Sequence, residues 1–199
     1  VVFADLDGNG SLSSGELSAT TDVSGGFTLP GVNAFGQLIM SGGIDIATGK
    51  AFEGRMLAPP GATVINPLTT LLVELEQVDA KVAGDSAAKL TAALGLPSAF
   101  PFLHYDPIYE ANRTDTSAAE TAEAVAIQAM IAKIQIAVSQ TAAFLSGAGV
   151  PADEAAIIDW AYEALAANIA SAAGPVDLTA SSFIAQLIQD TTVLAGADS

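Results

Sequence analysis

The chain has 199 residues, of which 22 are acidic and only 6 are Lys or Arg, so its formal net charge is −16 at pH 7. A surface this acidic repels phosphate backbones and anionic membrane surfaces, so we expect no nucleic-acid partner, and it attracts cations such as Ca²⁺. Hydrophobic residues form 51% of the chain and Cys is absent, which excludes an acidic disordered tail, a disulfide scaffold and cysteine-based zinc or thiol chemistry.

The apolar content does not predict membrane insertion. No uncharged run reaches the ~18 strongly apolar residues that a membrane span requires. The longest candidate, residues 124–132, is interrupted by Gln128 and followed by Lys133. We therefore expect a soluble chain. It opens with Val1 inside a strand-like run and without Met, so we expect a mature fragment or a segment of a longer protein.

Residues 1–65 have the pattern of β structure. Short apolar or alternating runs are separated there by clusters of Gly, Asn, Asp and Ser. The predicted strands are residues 1–4, 26–29, 37–40, 51–57 and 62–65. This spacing predicts a small antiparallel sheet or sandwich, which is partial or takes part of its stability from the rest of the chain.

Residues 66–199 have the spacing of helices, and we predict an Ala-rich bundle of four to six of them. The predicted helices begin at Asn66-Pro67, Asp85, Asp106-Pro107, the capping box Ser117–Glu120, Pro151, and Asp177 or Thr179. Trp160 falls on one stripe with Ile157 and Ala161, which predicts that it is buried. The expected fold class is α+β, with a small Gly-rich antiparallel β portion (1–65) followed by the helical bundle (66–199).

Residues 5–16, DLDGNGSLSSGE, match the twelve-residue calcium-binding loop of EF-hand type. Gly10 falls at the sixth place, where the loop turns sharply, and Ser13 falls at the ninth, which usually contacts the ion through water. The candidate Ca²⁺ ligands are Asp5, Asp7, Asn9, Ser11 (through its backbone carbonyl) and Glu16 (through both oxygens). The alternative is a plain surface turn of Asp, Asn and Gly.

The residues on either side of this loop do not predict the helices of a calcium-sensing EF-hand. A predicted strand precedes the loop, and residues 20–29 predict a hairpin after it. We therefore expect the calcium loop of a β-module, or a dockerin-like variant, in which Ca²⁺ rigidifies the protein rather than switching it.

Residues 1–29 resemble the start of the calcium-binding B-type repeats of bacterial surface adhesins. In those repeats a strand leads into D-x-N-x-N-G-x-x-D-x-G-E and then into a T-D-x-x-G-x-F/Y strand. The matching residues are Asp5, Asp7, Asn9, Gly10, Glu16, Thr21, Asp22, Gly26 and Phe27. The ninth place of the loop departs from the family, because Ser13 replaces Asp, and this implies weaker calcium affinity. The resemblance implies a calcium cofactor and an address at the bacterial cell surface or outside the cell.

Other candidate sites have ordinary structural interpretations. His104 is the only histidine, so His-based metal triads are excluded, and we expect it to pack or cap in a loop. Asp45, in GGIDIATG, could ligate a second Ca²⁺, but a hairpin turn is the more typical interpretation, and a contribution of Asp22 is left open. No P-loop or dinucleotide fingerprint is present.

Two functional hypotheses follow. The first is a non-enzymatic, calcium-stabilised extracellular module of a large bacterial surface or secreted protein, with an adhesive, spacer or assembly role and with other domains or copies of that protein as partners. The second is an enzymatic or small-molecule-binding domain with purely structural calcium. A deep pocket between the sheet and the helices, near His104, Tyr105 and Trp160, would favour the second.

Overall fold

The computed structural model describes residues 1–29, 36–46, 49–78 and 85–197. In these residues a small β portion precedes a helical region, so the predicted α+β class is confirmed. The strands are β1 (Val2–Asp5), β2 (Ser18–Ala19), β3 (Gln37–Ser41), β4 (Ile44–Asp45), β5 (Lys50–Ala51) and β6 (Arg55–Ala58). The helices are α1 (Pro67–Val78), α2 (Ser86–Leu94), α3 (Pro107–Asn112), α4 (Ala118–Gly147), α5 (Glu154–Ser171) and α6 (Ser181–Ala197).

The main sheet is antiparallel, with the strand order β2-β1-β3-β6, and β4 and β5 form a separate hairpin. Successive side chains point to opposite faces of a strand, so the sheet contributes to two apolar clusters. On one face Phe3, Ile39 and Leu57 pack against Val73 of α1. The opposite face is covered by loop residues. That second cluster contains Ala4, Leu38, Ala58 and Ala62, with Phe27, Leu29, Ile65 and Leu103 packed against it.

Two of the predicted strands are wrong. Residues 26–29 follow a turn in which the Asp22 carboxylate accepts hydrogen bonds from the backbone N–H groups of Ser24 and Gly26. Residues 62–65 are not a strand either, because the backbone of Thr63 bonds to a loop carbonyl. Their apolar side chains pack on the sheet without joining it, which produces the same sequence pattern as a strand. The predicted strand 51–57 is interrupted between β5 and β6.

The first turn of α1 completes the outer edge of the sheet. Asn66 caps the helix as predicted, since its Oδ1 accepts hydrogen bonds from the N–H groups of Leu68 (2.9 Å) and Thr69 (3.2 Å). Edge strand β6 offers the N–H and C=O of Leu57, which bond to helix hydroxyls: Thr69 Oγ1 donates to Leu57 O (2.8 Å), and Leu57 N donates to Thr70 Oγ1 (3.0 Å). The helix therefore satisfies backbone groups that an edge strand would otherwise expose.

The bundle has α5 at its centre, and its boundaries follow the capping residues. Ile157 and Leu165 are completely buried, whereas Trp160 packs against the core but is only partly buried, so its predicted burial is confirmed only in part. The predicted start at Pro151 is wrong. The helix begins after Asp153, whose carboxylate accepts a hydrogen bond from Ala156 N at 2.8 Å. Before α6, Asp177 forms a turn with Thr179, and the helix itself begins at Ser181.

The long helix α4 has the predicted capping box at Ser117 and Glu120. By length and composition alone it could cross a membrane, and 33% of its most apolar 18-residue window is buried inside the protein. It packs against α3, α5 and α6. Core helices of soluble proteins pass the same test, so this property alone does not indicate a membrane span. The division of the chain into domains at residue 65 stays a prediction.

Candidate metal centre

The candidate calcium loop connects β1 to β2, which pair with each other in antiparallel orientation. Asp5, the first candidate ligand, is the last residue of β1 and is 7% exposed. The backbone N–H of Ala4 donates to Leu17 O at 3.0 Å and closes the base of the loop. The loop therefore has strands rather than helices on both sides, as expected. The hairpin predicted at residues 20–29 is wrong, because these residues contain no strand and instead form a turn around the Asp22 carboxylate.

The Asp5 carboxylate organises the first half of the loop. Its Oδ1 accepts hydrogen bonds from Gly8 N (2.8 Å) and Asn9 N (3.2 Å), and its Oδ2 accepts one from Gly10 N (2.9 Å). Gly8 and Gly10 both have a φ of +73°, a conformation that residues with a side chain rarely adopt. The sharp turn thus depends on the two glycines and on the carboxylate around which they fold.

The Glu16 carboxylate ties the end of the loop back to its beginning. Its Oε1 accepts a hydrogen bond from Leu6 N at 2.7 Å, and its Oε2 accepts one from Ser13 N at 2.8 Å. Backbone donors thus fix the positions of the carboxylates at both ends of the loop. Asp5 Oδ1 already accepts two hydrogen bonds, whereas Asp5 Oδ2 and both Glu16 oxygens accept one each and keep a second lone pair for another partner.

Three carboxylates converge in this loop. Asp5, Asp7 and Glu16 each offer an oxygen, and these oxygens lie within 4.8 Å of one another. Among residues 1–29, 36–46, 49–78 and 85–197, this is the one group of three acidic, His or Cys side chains with that geometry. Three negative charges at such short distances repel one another, and a divalent cation among them would remove the repulsion.

Asn9, another candidate ligand, lies beside the three carboxylates but directs its amide nitrogen toward them. Asn9 Nδ2 donates to Asp7 Oδ2 (2.9 Å) and to Ser13 Oγ (2.7 Å), while Asn9 Oδ1 accepts from Ser11 N (2.7 Å). The amide nitrogen, rather than the oxygen, therefore contacts the carboxylates. For Asn9 to act as a ligand, its amide must rotate so that Oδ1 faces the ion.

A pocket of about 480 Å³ separates the loop from α1, and Asp5, Gly10, Arg55 and Glu74 are among the residues that line it. Arg55 forms an ion pair with Asp159 of α5 (Nη2–Oδ2 2.7 Å), and its Nη1 lies 3.4 Å from Gly10 O. The sequence does not predict this connection. Residues 55 and 159 are 104 positions apart, and no local pattern links them.

Partial burial changes the protonation of the acidic groups beside this ion pair. Burial raises the pKa of Glu74 to about 7, with smaller contributions from the negative charges of Glu163 and Asp159, while Arg55 lowers it. Burial also raises the pKa of Asp159, against the opposing effect of Arg55. At the boundary between the sheet and the helices, burial therefore disfavours the ionised form of these carboxyl groups.

The other residues considered in the sequence have ordinary structural roles. The Asp22 carboxylate shapes a turn, and its hydrogen bonds from Ser24 and Gly26 lower its pKa. Asp45 lies in the β4–β5 hairpin opposite Lys50, so the hairpin interpretation is confirmed. His104 is exposed, and its Nδ1 lies 3.2 Å from Thr63 Oγ1, as expected for a histidine in a loop.

Comparison of the chain with protein-family models, with curated proteins and with solved structures found no match. The resemblance of residues 1–29 to the B-type repeats therefore stays a prediction. The interpretation of the site depends on the geometry of the loop itself.

Proposed function

We propose that the chain is a non-enzymatic, calcium-stabilised module of a large bacterial surface or secreted protein, with an adhesive, spacer or assembly role. The observation that carries this proposal is the convergence of the Asp5, Asp7 and Glu16 carboxylates within a loop whose backbone is already folded around two of them. The proposed partners are calcium and other domains or copies of the larger protein.

The donor set suits a hard cation. Ca²⁺ takes six to eight oxygen ligands at 2.3–2.6 Å and tolerates irregular geometry. The three carboxylates supply most of these oxygens, and the pattern of the twelve-residue loop predicts the Ser11 carbonyl and a water beside Ser13 as further ligands. Mg²⁺ demands a near-ideal octahedron and fits a bidentate Glu16 less well. We therefore assign the site to Ca²⁺.

Calcium in this position would rigidify the β portion. The loop joins β1 to β2, and these strands are paired through only two residues of β2. Closing the loop brings three like charges together, so the ion offsets a repulsion that otherwise opposes the pairing. An ion that binds only the folded state adds RT ln(1 + [L]/Kd) to the stability, or about 2.7 kcal/mol at a 100-fold excess over Kd.

The proposed extracellular address follows from the expected affinity. Ser13 replaces the family's Asp at the ninth place, and no flanking helices hold the loop. Both features favour binding in the ~10⁻⁴–10⁻³ M class of extracellular modules. Such a site would be filled in millimolar external calcium and empty at cytosolic concentrations.

A non-enzymatic role is favoured because Cys and His, two residue types often used as nucleophile or base, are scarce in the chain. The sequence contains no Cys, and its single His is engaged in a loop with Thr63. A pocket of about 460 Å³ lies between the β portion and the helices, but His104, Tyr105 and Trp160, around which the alternative hypothesis predicts a pocket, do not line it. Its lining residues Asn66 and Asp106 are both occupied as helix caps. We therefore rank the small-molecule-binding hypothesis second.

Calorimetric melting with calcium and with chelator tests the proposal. At a 100-fold excess over Kd, calcium should raise the melting temperature of the wild-type chain by about 5–10 °C. Glu16→Gln should lose most of this increase and keep its helical circular dichroism. Glu53→Gln, an exposed acidic residue outside the loop, is the matched control and should respond like wild type. If wild type and Glu16→Gln melt identically under both conditions, the loop is only a turn.

A thermal-shift screen of small metabolites in chelator separates the two hypotheses. We expect no ligand to raise the melting temperature. A ligand that does so for wild type, but not for Gln128→Leu in the 460 Å³ pocket, would favour the small-molecule hypothesis instead.

A further inference from the structure

Helix α4 presents an outward face with the spacing of a coiled-coil seam. The positions alternate in steps of four and three, which is the heptad pattern of helices that pack along their length. This outer seam consists of Val125, Ala129, Ala132, Ile136, Ser139 and Ala143, all of them exposed. Its two bulkiest members, Val125 and Ile136, are 55% and 54% exposed. The opposite side of the helix is already buried in the bundle through residues such as Ile127 and Ile134.

The charge distribution around the outer seam is unusual for this chain. All 22 acidic residues lie outside residues 124–152, and Lys133 is the single charged residue within them. The exposed face of a surface helix normally carries charged or polar residues. Lys133 is exposed beside the outer seam, next to Ala129 and Ile136 on the helix surface, so this face lacks acidic residues rather than all charge. On a chain of net charge −16, a face without acidic residues is the surface on which two copies repel each other least.

We propose that the outer seam is the docking surface for a second copy of this chain, with the two α4 helices antiparallel. A two-fold axis beside residue 134 places Val125 opposite Ala143 of the other copy, Ala129 opposite Ser139, and Ala132 opposite Ile136. Every bulky side chain then meets a small one, so the surfaces interdigitate as closely packed helices require. A parallel pair would set Ile136 on Ile136 and Ala on Ala, leaving gaps between the helices.

Charge at the helix ends favours the same orientation. Glu120 and Glu123 lie in the first two turns of α4, and its last turns contain no charged residue. In the antiparallel pair, these carboxylates face the uncharged end of the other copy, where Leu145 and Ala148 lie. In a parallel pair, the acidic ends of both copies would meet and repel each other. The antiparallel arrangement also pairs the helix dipoles favourably.

The size of the outer seam sets the expected strength of the dimer. At a rise of about 1.5 Å per residue, positions 125 to 143 span roughly 27 Å of helix. A contact of this length buries on the order of 1,000 Å² in total, at the lower limit for specific interfaces. We therefore expect a reversible dimer with a micromolar dissociation constant. The inference does not depend on calcium binding.

Sedimentation equilibrium of the full chain from ~1 to ~500 µM tests the surface. Wild type should show a monomer–dimer equilibrium. Ile136→Glu should weaken the dimer at least about 100-fold, because it places a charged side chain, which must lose its hydration, at the centre of the interface. Val193→Glu on α6 introduces the same charge at a residue that is 66% exposed and should leave the equilibrium unchanged. A wild type that stays monomeric, or an Ile136→Glu variant that dimerises normally, overturns the proposal.

Cysteine crosslinking tests the orientation, since the natural chain contains no Cys. A mixture of Val125→Cys and Ala143→Cys chains should form a disulfide-linked heterodimer under mild oxidation. Val125→Cys alone should stay unlinked, because its two copies lie about 27 Å apart. Rapid linkage of Val125→Cys alone would overturn the antiparallel pairing. If phosphatidylcholine vesicles bind wild type but not Ile136→Glu, and no dimer forms, the face is a membrane surface and the proposal is wrong.

Discussion

Loop 5–16 and the helical bundle differ in what holds their backbones in place. In the loop, the carboxylates of Asp5 and Glu16 accept hydrogen bonds from backbone N–H groups, while the apolar side chains of Leu6 and Leu12 remain exposed. In the bundle, side chains such as Leu165 are completely buried, and apolar packing supplies the stability. The bundle is therefore held by its own apolar packing, whereas the loop concentrates negative charge, and we propose that a cation stabilises it.

The carboxylates of loop 5–16 also differ from the carboxylates at the boundary between the sheet and the helices. The loop carboxylates converge near solvent, where a cation can reach them. Glu74 and Asp159 are instead partly buried beside Arg55, and burial raises their pKa values. The same type of side chain thus serves as a candidate metal ligand in one place and as a titratable group in the other. The two sets differ because the loop carboxylates lie near solvent, whereas Glu74 and Asp159 are partly buried and have the Arg55 guanidinium as their neighbouring positive charge.

The largest expected effect is the loss of stability when a core residue of the bundle is truncated, and it tests whether the bundle and the loop are stabilised independently. Leu165→Ala removes a completely buried side chain from α5 and should reduce the free energy of unfolding by about 2–5 kcal/mol. The additional stability from calcium should remain, because it arises in the loop. Urea unfolding with calcium and with chelator measures both quantities. Loss of the calcium increment in Leu165→Ala would show that the two regions are not energetically separate.

The next effect concerns the junction at which the bundle meets the sheet. Thr69→Val removes the hydroxyl that bonds to Leu57 O and leaves a buried carbonyl with fewer partners, so it should cost about 1–3 kcal/mol. Thr192→Val is the matched control, since that hydroxyl bonds to Ile188 O on an exposed face of α6. Chemical denaturation of both variants tests the difference. Equal losses would contradict a special role of the strand edge.

The third expected effect is a dependence of stability on pH at the sheet–helix boundary. The pKa of Glu74 is raised to about 7 in the folded state, above the value of 4.5 for an unperturbed Glu. Between these values the folded state binds more protons than the unfolded state, so its stability falls as pH rises from about 4.5 to 7. The loss should be on the order of 1–3 kcal/mol for a group of this burial.

Glu74→Gln isolates this contribution. The variant should lose that part of the pH dependence and be more stable than wild type at pH 8. Glu76→Gln, an exposed neighbour on the same helix, should keep the wild-type profile. Unfolding free energies measured from pH 5 to 8 decide the matter. A Glu74→Gln profile that parallels that of wild type would refute the assignment.

Local signals predicted the helices well because capping chemistry is local. Asn66 and the Ser117–Glu120 capping box correctly predict where α1 and α4 begin, and Gly95 correctly predicts where α2 ends. Asp85 lies at the start of α2 but makes no capping bond with its side chain. Pro151 predicts a start of α5 that is too early, because the residue that caps the helix is Asp153.

Contacts between distant parts of the chain were not predictable from the sequence. The apolar runs at 26–29 and 62–65 look like strands because their side chains pack on the sheet, although their backbones bond elsewhere. The candidate ligands of the loop were named from spacing alone, and the structure brings their three carboxylates together. The link from Arg55 to Asp159, which joins the surroundings of the loop to α5, needed the folded chain.

Amide hydrogen exchange with calcium and with chelator tests the central claim most directly, because it reports on the loop and the bundle in one experiment. With calcium at 100 times Kd, the amides of Leu6, Gly8, Gly10 and Ser13, which bond to the loop carboxylates, should exchange up to about 100-fold more slowly. The core amides of α5 should exchange at the same rate under both conditions. Loop amides that exchange equally fast with calcium and with chelator would contradict a calcium-stabilised loop.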